Sequence, residues 1–341
     1  GMNNKDLWIK EEIIWSEHKC IRFAAGGYEA LIIPDVGGNV VELKDTNKGV
    51  TILRTPKKDL KFEDFKNRPQ VYGLPVLFPP NRIDDGTFKL GDKTYKFPIN
   101  EAKNNNYIHG FIKNSKWTVH KKKIDQDKAL VEVVFDFTKE NEAYKYFSHE
   151  FQFKLSYELS SKGLKQTTSV VNLSSEEMPL SVGYHSAFNV PFIEGSEDSN
   201  CRVKISIDKF WKQDSRNLPT GESFAPTGEQ KEYLENGVAV ASHPIESLFS
   251  LKDIDVNGKT FRGACIEDAS KNTRVVYEMS SEYKYLVIWN DMGDKKYACI
   301  EPQTSIINSP NVKLDRSVSG FKTLKPNESW SGVCKLYIEN M

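Results

Sequence analysis

The chain has 341 residues, and its 47 Lys+Arg balance 47 Asp+Glu, so it carries no net field to draw in nucleic acid or an acidic membrane surface. Apolar residues make up 38%, and with the 21 glycines about 44%, close to the roughly 45–50% of ordinary soluble domains, which excludes disordered and collagen-like chains. No window approaches the ~18 uninterrupted apolar residues of a membrane span. The start, Met2-Asn-Asn-Lys-Asp-Leu-Trp8, lacks the apolar run of a secretory signal, so a cytoplasmic location is expected, with Gly1 read as a tag-cleavage scar.

In chain order, Gly26-Gly27 reads as a turn between strands, and Lys57–Asn67, with Leu60, Phe62 and Phe65 among charges, as a short surface helix. Asp85-Gly86 and Gly91-Asp92 are turn pairs that accept positive φ cheaply. His120-Lys-Lys-Lys123, followed by Asp125 and Asp127, fits a solvated strand edge. From Leu130 onward, apolar and polar residues alternate with a period of two, as half-buried strands require. The runs are Leu130–Phe137, His149–Leu159, Arg202–Ile207, Thr273–Glu278, Tyr285–Trp289 and Val333–Ile338, and Asn257-Gly258 marks another hairpin. No linker, repeat or low-complexity tract divides them. The expectation is an all-β protein: one large antiparallel β-sandwich spanning 1–341 as a single domain, with few short helices.

The five cysteines are odd in number, far apart and without C-x-x-C, so neither a disulfide framework nor a zinc knuckle is expected. There is no H-E-x-x-H, no Ca²⁺ loop, no P-loop, no dinucleotide fingerprint and no serine in a nucleophile elbow. No metal or cofactor is expected.

Of six histidines, His18, His120, His149 and His243 lie in polar company and read as surface residues. His109 in Tyr107-Ile-His-Gly-Phe111 and His185 in Val182-Gly-Tyr-His-Ser-Ala-Phe188 have apolar or small neighbours that suggest rings held in a wall. A buried imidazole must satisfy its nitrogens and titrates near neutrality, which suits an acid or base; a satisfied core histidine fits either one alone equally well. Glu301, in Tyr297-Ala-Cys-Ile-Glu-Pro-Gln-Thr304, stands before a proline that should end the strand's ladder and let the carboxylate project at a sheet rim. On that feature alone an exposed strand-end carboxylate is the plainer reading. Asn81-Arg82, after the stiff Gly73–Pro80 stretch, supplies donors suited to hydroxyls, as well as an ordinary turn residue and a surface ion pair.

Three ordered blocks resemble the aldose 1-epimerase (galactose mutarotase-like) family: Asn81-Arg82-Ile83 with Gly86-Thr-Phe88, Gly91, Tyr95, Asn100 and His109-Gly110; Gly183-Tyr-His185-Ser-Ala-Phe188; and Glu301-Pro302-Gln303-Thr304. The second block has Ser186 where the family more often has proline. The resemblance implies the family's large β-sandwich, the supersandwich, binding a small-molecule sugar without a cofactor. It implies Glu301 as general base at the anomeric hydroxyl, His185 as general acid at the ring oxygen, His109 polarising that oxygen, and Arg82 with Asn81 anchoring hydroxyls. Trp289 would offer a stacking face. The family's further sugar-binding aspartate, usually in F-D-H-x-F, has no counterpart here; Asp253 and Asp255 are only neighbours by position. The expected activity is interconversion of hexose anomers by a monomer or homodimer with no nucleic-acid or membrane partner. The rivals are a hexose-6-phosphate 1-epimerase, a non-catalytic sugar sensor on the same fold and, last, a glycoside hydrolase, which wants two facing carboxylates.

Overall fold

The computed structural model describes residues 6–341. About half the chain is strand, every strand pair is antiparallel, and among the described residues the α-helices are Phe62–Asn67, Glu229–Glu232 and Arg316–Ser319. The expected turns occur: Gly26-Gly27 joins His18–Ala25 to Tyr28–Ile33, Gly91-Asp92 joins Thr87–Leu90 to Lys93–Lys96, and Asn257-Gly258 joins Ile254–Val256 to Lys259–Phe261. Thr118–Asp125, which holds His120–Lys123, is the exposed edge of its sheet. The helix near residue 60 is shorter than its apolar spacing predicts. Lys61 is extended at its N-terminus, and Leu60 instead turns its carbonyl to accept from Trp15 Nε1 at 2.8 Å.

Two eight-stranded sheets and a five-stranded N-terminal sheet carry the architecture. The first large sheet runs in the order Thr118–Asp125, Lys128–Phe137, Phe151–Ser160, Gly163–Asn172, Ser329–Asn340, Thr273–Met279, Gly263–Asp268, Cys201–Ile205. Its alternation decides its inner face: Ala129, Val131, Val133, Phe135 and Phe137, and opposite them Phe151, Phe153, Leu155, Tyr157 and Leu159, all join the main core. From the second large sheet Phe249, Leu286, Ile288, Ala298 and Ile300 meet them there. Burying each of the Val, Leu, Ile and Phe side chains among them contributes about 1.5–3 kcal/mol, so the pairing of the two inner faces is a large part of what holds the fold together.

One part of that core fixes the position of functional residues. Phe78 packs on Phe151 and Phe153 with ring centroids 5.0 and 5.2 Å apart, which pins the Pro79-Pro80-Asn81-Arg82 segment that follows it. His149, which its polar neighbours marked as a surface residue, is instead completely buried. Its Nε2 meets the Tyr95 hydroxyl at 2.6 Å and its Nδ1 meets Ser174 Oγ at 2.9 Å, so two partners distant in sequence make the burial tolerable. His120 and His243 are half-exposed as expected, and His18 is half-buried against Asp35.

Candidate active site

The second large sheet runs Pro219–Phe224, Ile207–Gln213, Glu246–Leu251, Tyr285–Trp289, Tyr297–Gln303, Gly183–Tyr184, Val76–Leu77, with Ser186–Asn189 also pairing Tyr297–Gln303. Period-two alternation sends Leu286, Ile288, Ala298 and Ile300 into the main core. Tyr285, Val287 and Trp289 therefore face the other way, as do Tyr297, Cys299, Glu301 and Gln303. On this second face lies a cleft of about 210 Å³ lined by Asn81, Arg82, Glu101, His109, His185, Glu246, Trp289 and Glu301, with Arg68, Gln70, Val71, Ile108 and Val287. All six residues singled out from the sequence reach it.

Glu301 is not at a rim. It is 2% exposed in mid-strand, paired with Val287, and the strand continues through Pro302 to Gln303. The proline is accommodated because its neighbouring strand is interrupted there: Gly183 pairs with Gln303 and Ser186 with Ile300, leaving a gap in the ladder where Pro302 has no N–H to offer. His185 occupies that interruption. Its backbone N–H leaves the Glu301 strand and donates to Pro75 O at 3.0 Å. The ring is thereby carried over the carboxylate, with Nε2 3.4 Å from Glu301 Oε2.

His109 arrives from the opposite wall. Its backbone has φ 70° and that of Asn81 φ 57°, and the two are tied by His109 N–H donating to Asn81 O at 3.0 Å. A left-handed conformation is uncommon for histidine and is held where the surroundings over-determine it. Asn100 does so, donating from Nδ2 to Ile108 O at 3.0 Å and accepting from Ile108 N–H at 2.7 Å. The His109 and His185 rings meet edge to face with centroids 4.9 Å apart, and Trp289 stands against the far side of His185 at 5.6 Å.

Arg82 is an ion pair, as its plainer reading had it, but one set inside the cleft. Nε and Nη2 donate to the Glu101 carboxylate at 2.9 Å and Nη1 donates to Glu246 Oε1 at 3.2 Å. Burial opposes the charge, yet the Glu101 hydrogen bonds and the Glu246 charge hold its pKa above the ordinary arginine value. Asn81 donates from Nδ2 to Gln303 Oε1 at 3.2 Å, joining the first sequence block to the third.

Burial dominates the titration of the remaining groups. It pushes the Glu301 carboxyl well above its ordinary value, reinforced by Glu246 and partly offset by Arg82. It lowers His185 to about 4 and His109 well below the ordinary imidazole value, His109 also feeling the charge of His185. Desolvation thus favours a His185–Glu301 pair that holds one proton and no net charge. Among the described residues no group of three or more His, Cys, Asp or Glu side chains is arranged to hold a metal ion.

Glu101, Glu246 and Gln70 were not found from the sequence. Glu246 opens Glu246–Leu251 opposite Trp289, and its strand is started by Asn290 Oδ1, which accepts from Ile245 N–H at 2.8 Å. An acidic residue heading the apolar alternation of Ile245-Glu-Ser-Leu-Phe249 was the available signal, but only the cross-strand register shows that it faces the cleft.

The fold of this sandwich is shared by solved structures at low identity. Galactose 1-epimerase from Lactobacillus acidophilus NCFM superposes with a TM-score of 0.73 at 15% identity, covering 98% of this chain and 99% of that one. Slr1438 from Synechocystis sp. PCC 6803 gives 0.67 at 20%, covering 93% of both chains. A galactose mutarotase-like protein from Lactobacillus casei ATCC 334 gives 0.68 at 17%, covering 94% and 100%. These likenesses define the galactose mutarotase-like fold. Residues 19–337 match the sequence profile of aldose 1-epimerase, and the chain belongs to that family. The plasmid and chromosomal LacX proteins of Lactococcus lactis subsp. lactis are 23% identical over 209 residues, 59% of this chain; the chain spans less than two thirds of their length, 64%.

Proposed function

We propose that this protein interconverts the α and β anomers of an uncharged aldose by proton transfer at the anomeric centre, the whole chain acting as one catalytic unit. The observation that carries the reading is the 3.4 Å contact of His185 Nε2 with Glu301 Oε2 inside a cleft also lined by His109 and Arg82. The anomeric and ring oxygens of a pyranose are bonded to the same carbon. A base and an acid serving both must stand side by side, far closer than the roughly 5–9.5 Å between glycosidase carboxylates.

In the forward step the pair's one proton first passes from Glu301 to His185 across their contact; the carboxylate then takes the O1 proton, the C1–O5 bond breaks with its electron pair leaving on O5, and His185 supplies the proton to O5. The product is the open-chain aldehyde, with Glu301 protonated and His185 neutral. After rotation about C1–C2, the O5 hydroxyl adds to the other face of the carbonyl while both protons return. The pair keeps one proton in total before the step and one after it, so no net charge has to enter or leave the buried site. His109 orients toward the ring oxygen, and Trp289 offers an apolar face to the sugar.

Glu246 fills the part of the missing aspartate. One oxygen is held by Arg82, and the side chain lines the cleft beside Trp289, where it can accept from a sugar hydroxyl. Because Glu101 and Glu246 both neutralise Arg82, that guanidinium has no surplus charge for a phosphate, which favours an unphosphorylated substrate at the Arg82 end; Arg68 is the other cation of the lining, and the phosphorylated sugar is therefore part of the test. Polarimetry of freshly dissolved α-glucose, α-galactose and glucose 6-phosphate tests this. Acceleration of the neutral sugars over spontaneous mutarotation is expected; uncatalysed rates with a panel of neutral aldoses would overturn it.

A further inference from the structure

We infer that Arg54 is a positioning residue that holds the Arg68–Tyr72 turn in place as one wall of the cleft; the inference rests on the reading of that cleft as a sugar site. This turn contributes Arg68, Gln70 and Val71 to the lining but belongs to none of the strands that carry Glu301, His185 or Glu246. Arg54 ties it to them.

The Arg54 guanidinium carbon lies 4.0 Å from the ring centroid of Tyr297 and 4.7 Å from that of Tyr72, between one ring on the Glu301 strand and one on the turn. Its Nη1 donates to Val71 O at 3.1 Å. The backbone completes the junction: Arg54 N–H donates to Ala187 O at 2.9 Å, two residues beyond His185, and Arg54 O accepts from Gly73 N–H at 2.9 Å, directly after the turn. Tyr297 is fixed in turn by its hydroxyl donating to Asp291 Oδ2 at 2.6 Å and by an edge-to-face contact with Trp289 at 6.2 Å. One planar cation therefore joins the turn to the strand of Glu301, while the Arg54 backbone ties both to the segment that follows His185. A lysine ammonium can neither lie flat between two rings nor reproduce this fork of contacts.

Arg54 touches no reacting atom, so its loss should loosen substrate binding while the acid and base stay in place. The experiment compares wild type with Arg54→Lys and Arg54→Ala by polarimetric kinetics on a neutral hexose, with amide hydrogen exchange read across the chain. For Arg54→Lys the expected result is a KM raised about tenfold with kcat within about twofold and an unchanged pH profile. Exchange should quicken at Tyr72 and Gly73 while the central strands keep their protection. A KM within about twofold of wild type, unaltered exchange at those amides, or faster exchange spread over the whole sandwich would each overturn the inference. Should the wild type accelerate no sugar, the epimerase reading fails, and the exchange pattern of Arg54→Lys still decides what Arg54 does.

Discussion

Glu301 and His185, 116 residues apart in the chain by their numbering, stand 3.4 Å from one another because the strand bearing the histidine breaks where Pro302 can form no ladder bond. The same break explains why the two side chains meet while both are buried. A continuous ladder would have turned the His185 ring elsewhere.

Replacing Glu301 with Gln keeps the shape and removes the proposed base. Catalysed mutarotation should fall by about 10²–10⁴-fold, the usual worth of a general base, with sugar affinity largely kept. His185→Asn should behave alike. Polarimetric rates close to wild type in either variant would remove that residue from the mechanism.

The pair also predicts a pH profile. Activity requires one shared proton, so the rate should fall on the acid side as His185, lowered to about 4, takes up a second proton, and on the alkaline side as Glu301 loses its own from a raised pKa. The profile of kcat/KM should therefore be a broad plateau across neutrality, with its acid limb well below the ordinary imidazole range. An acid limb at about 6.5, the ordinary value, would mean that a solvated histidine carries the reaction.

Stability should carry an opposite pair of signs. His109, His149 and His185 have folded pKa values below the unfolded value, so the folded state binds fewer protons, and stability is lost as pH falls from 6.5 toward about 4. Glu301, raised in the folded state, contributes stability in acid that is lost as pH rises above its unfolded value of 4.5. Glu301→Gln removes only the second effect. Urea midpoints of this variant should rise relative to wild type at pH 8 more than at pH 4.5, and equal shifts at both would refute the assignment.

Local pattern carried the strands and the faces they present; contacts across the sheets carried the rest. Tyr285-Leu-Val-Ile-Trp289 announces its two faces by alternation alone, and Trp289 reaches the cleft for that reason. His149 reads as a surface residue because the Tyr95 and Ser174 groups that satisfy its ring are 54 and 25 residues away. Glu301 reads as a rim residue because proline ordinarily ends a strand, and nothing local reveals the gap at Pro302. Glu246 is legible as an acid heading a strand, but its place in the cleft depends on pairing with Trp289.

Glu246→Gln tests the proposed anchoring of a sugar hydroxyl. A hydrogen bond to a charged group is worth about 1.5–3 kcal/mol, so KM should rise about 10–100-fold with a smaller change in kcat. The variant also leaves Arg82 with Glu101 as its single carboxylate partner in the cleft, which should narrow any preference for glucose over glucose 6-phosphate. Competition assays with both sugars read this directly, and an unchanged KM would place Glu246 outside the substrate's reach.

Gly110 shows how a residue without chemistry governs the site. Its φ is +70°, and a Cβ built there would lie 2.3 Å from Phe78 O and 2.5 Å from Phe78 C, atoms of the backbone that the phenylalanine core holds fixed. Gly110→Ala must therefore adopt a left-handed backbone costing about 1–2 kcal/mol and also force apart two rigid segments. One of these carries His109 and the other leads into Asn81 and Arg82. The expected outcome is a lowered Tm together with a fall in kcat/KM larger than that of a substitution at Gly91, where φ is +60° but a Cβ meets nothing within 4 Å. Gly91→Ala separates backbone strain from steric displacement, so equal losses of activity in the two variants would show that the close approach at Phe78 does not set the position of His109.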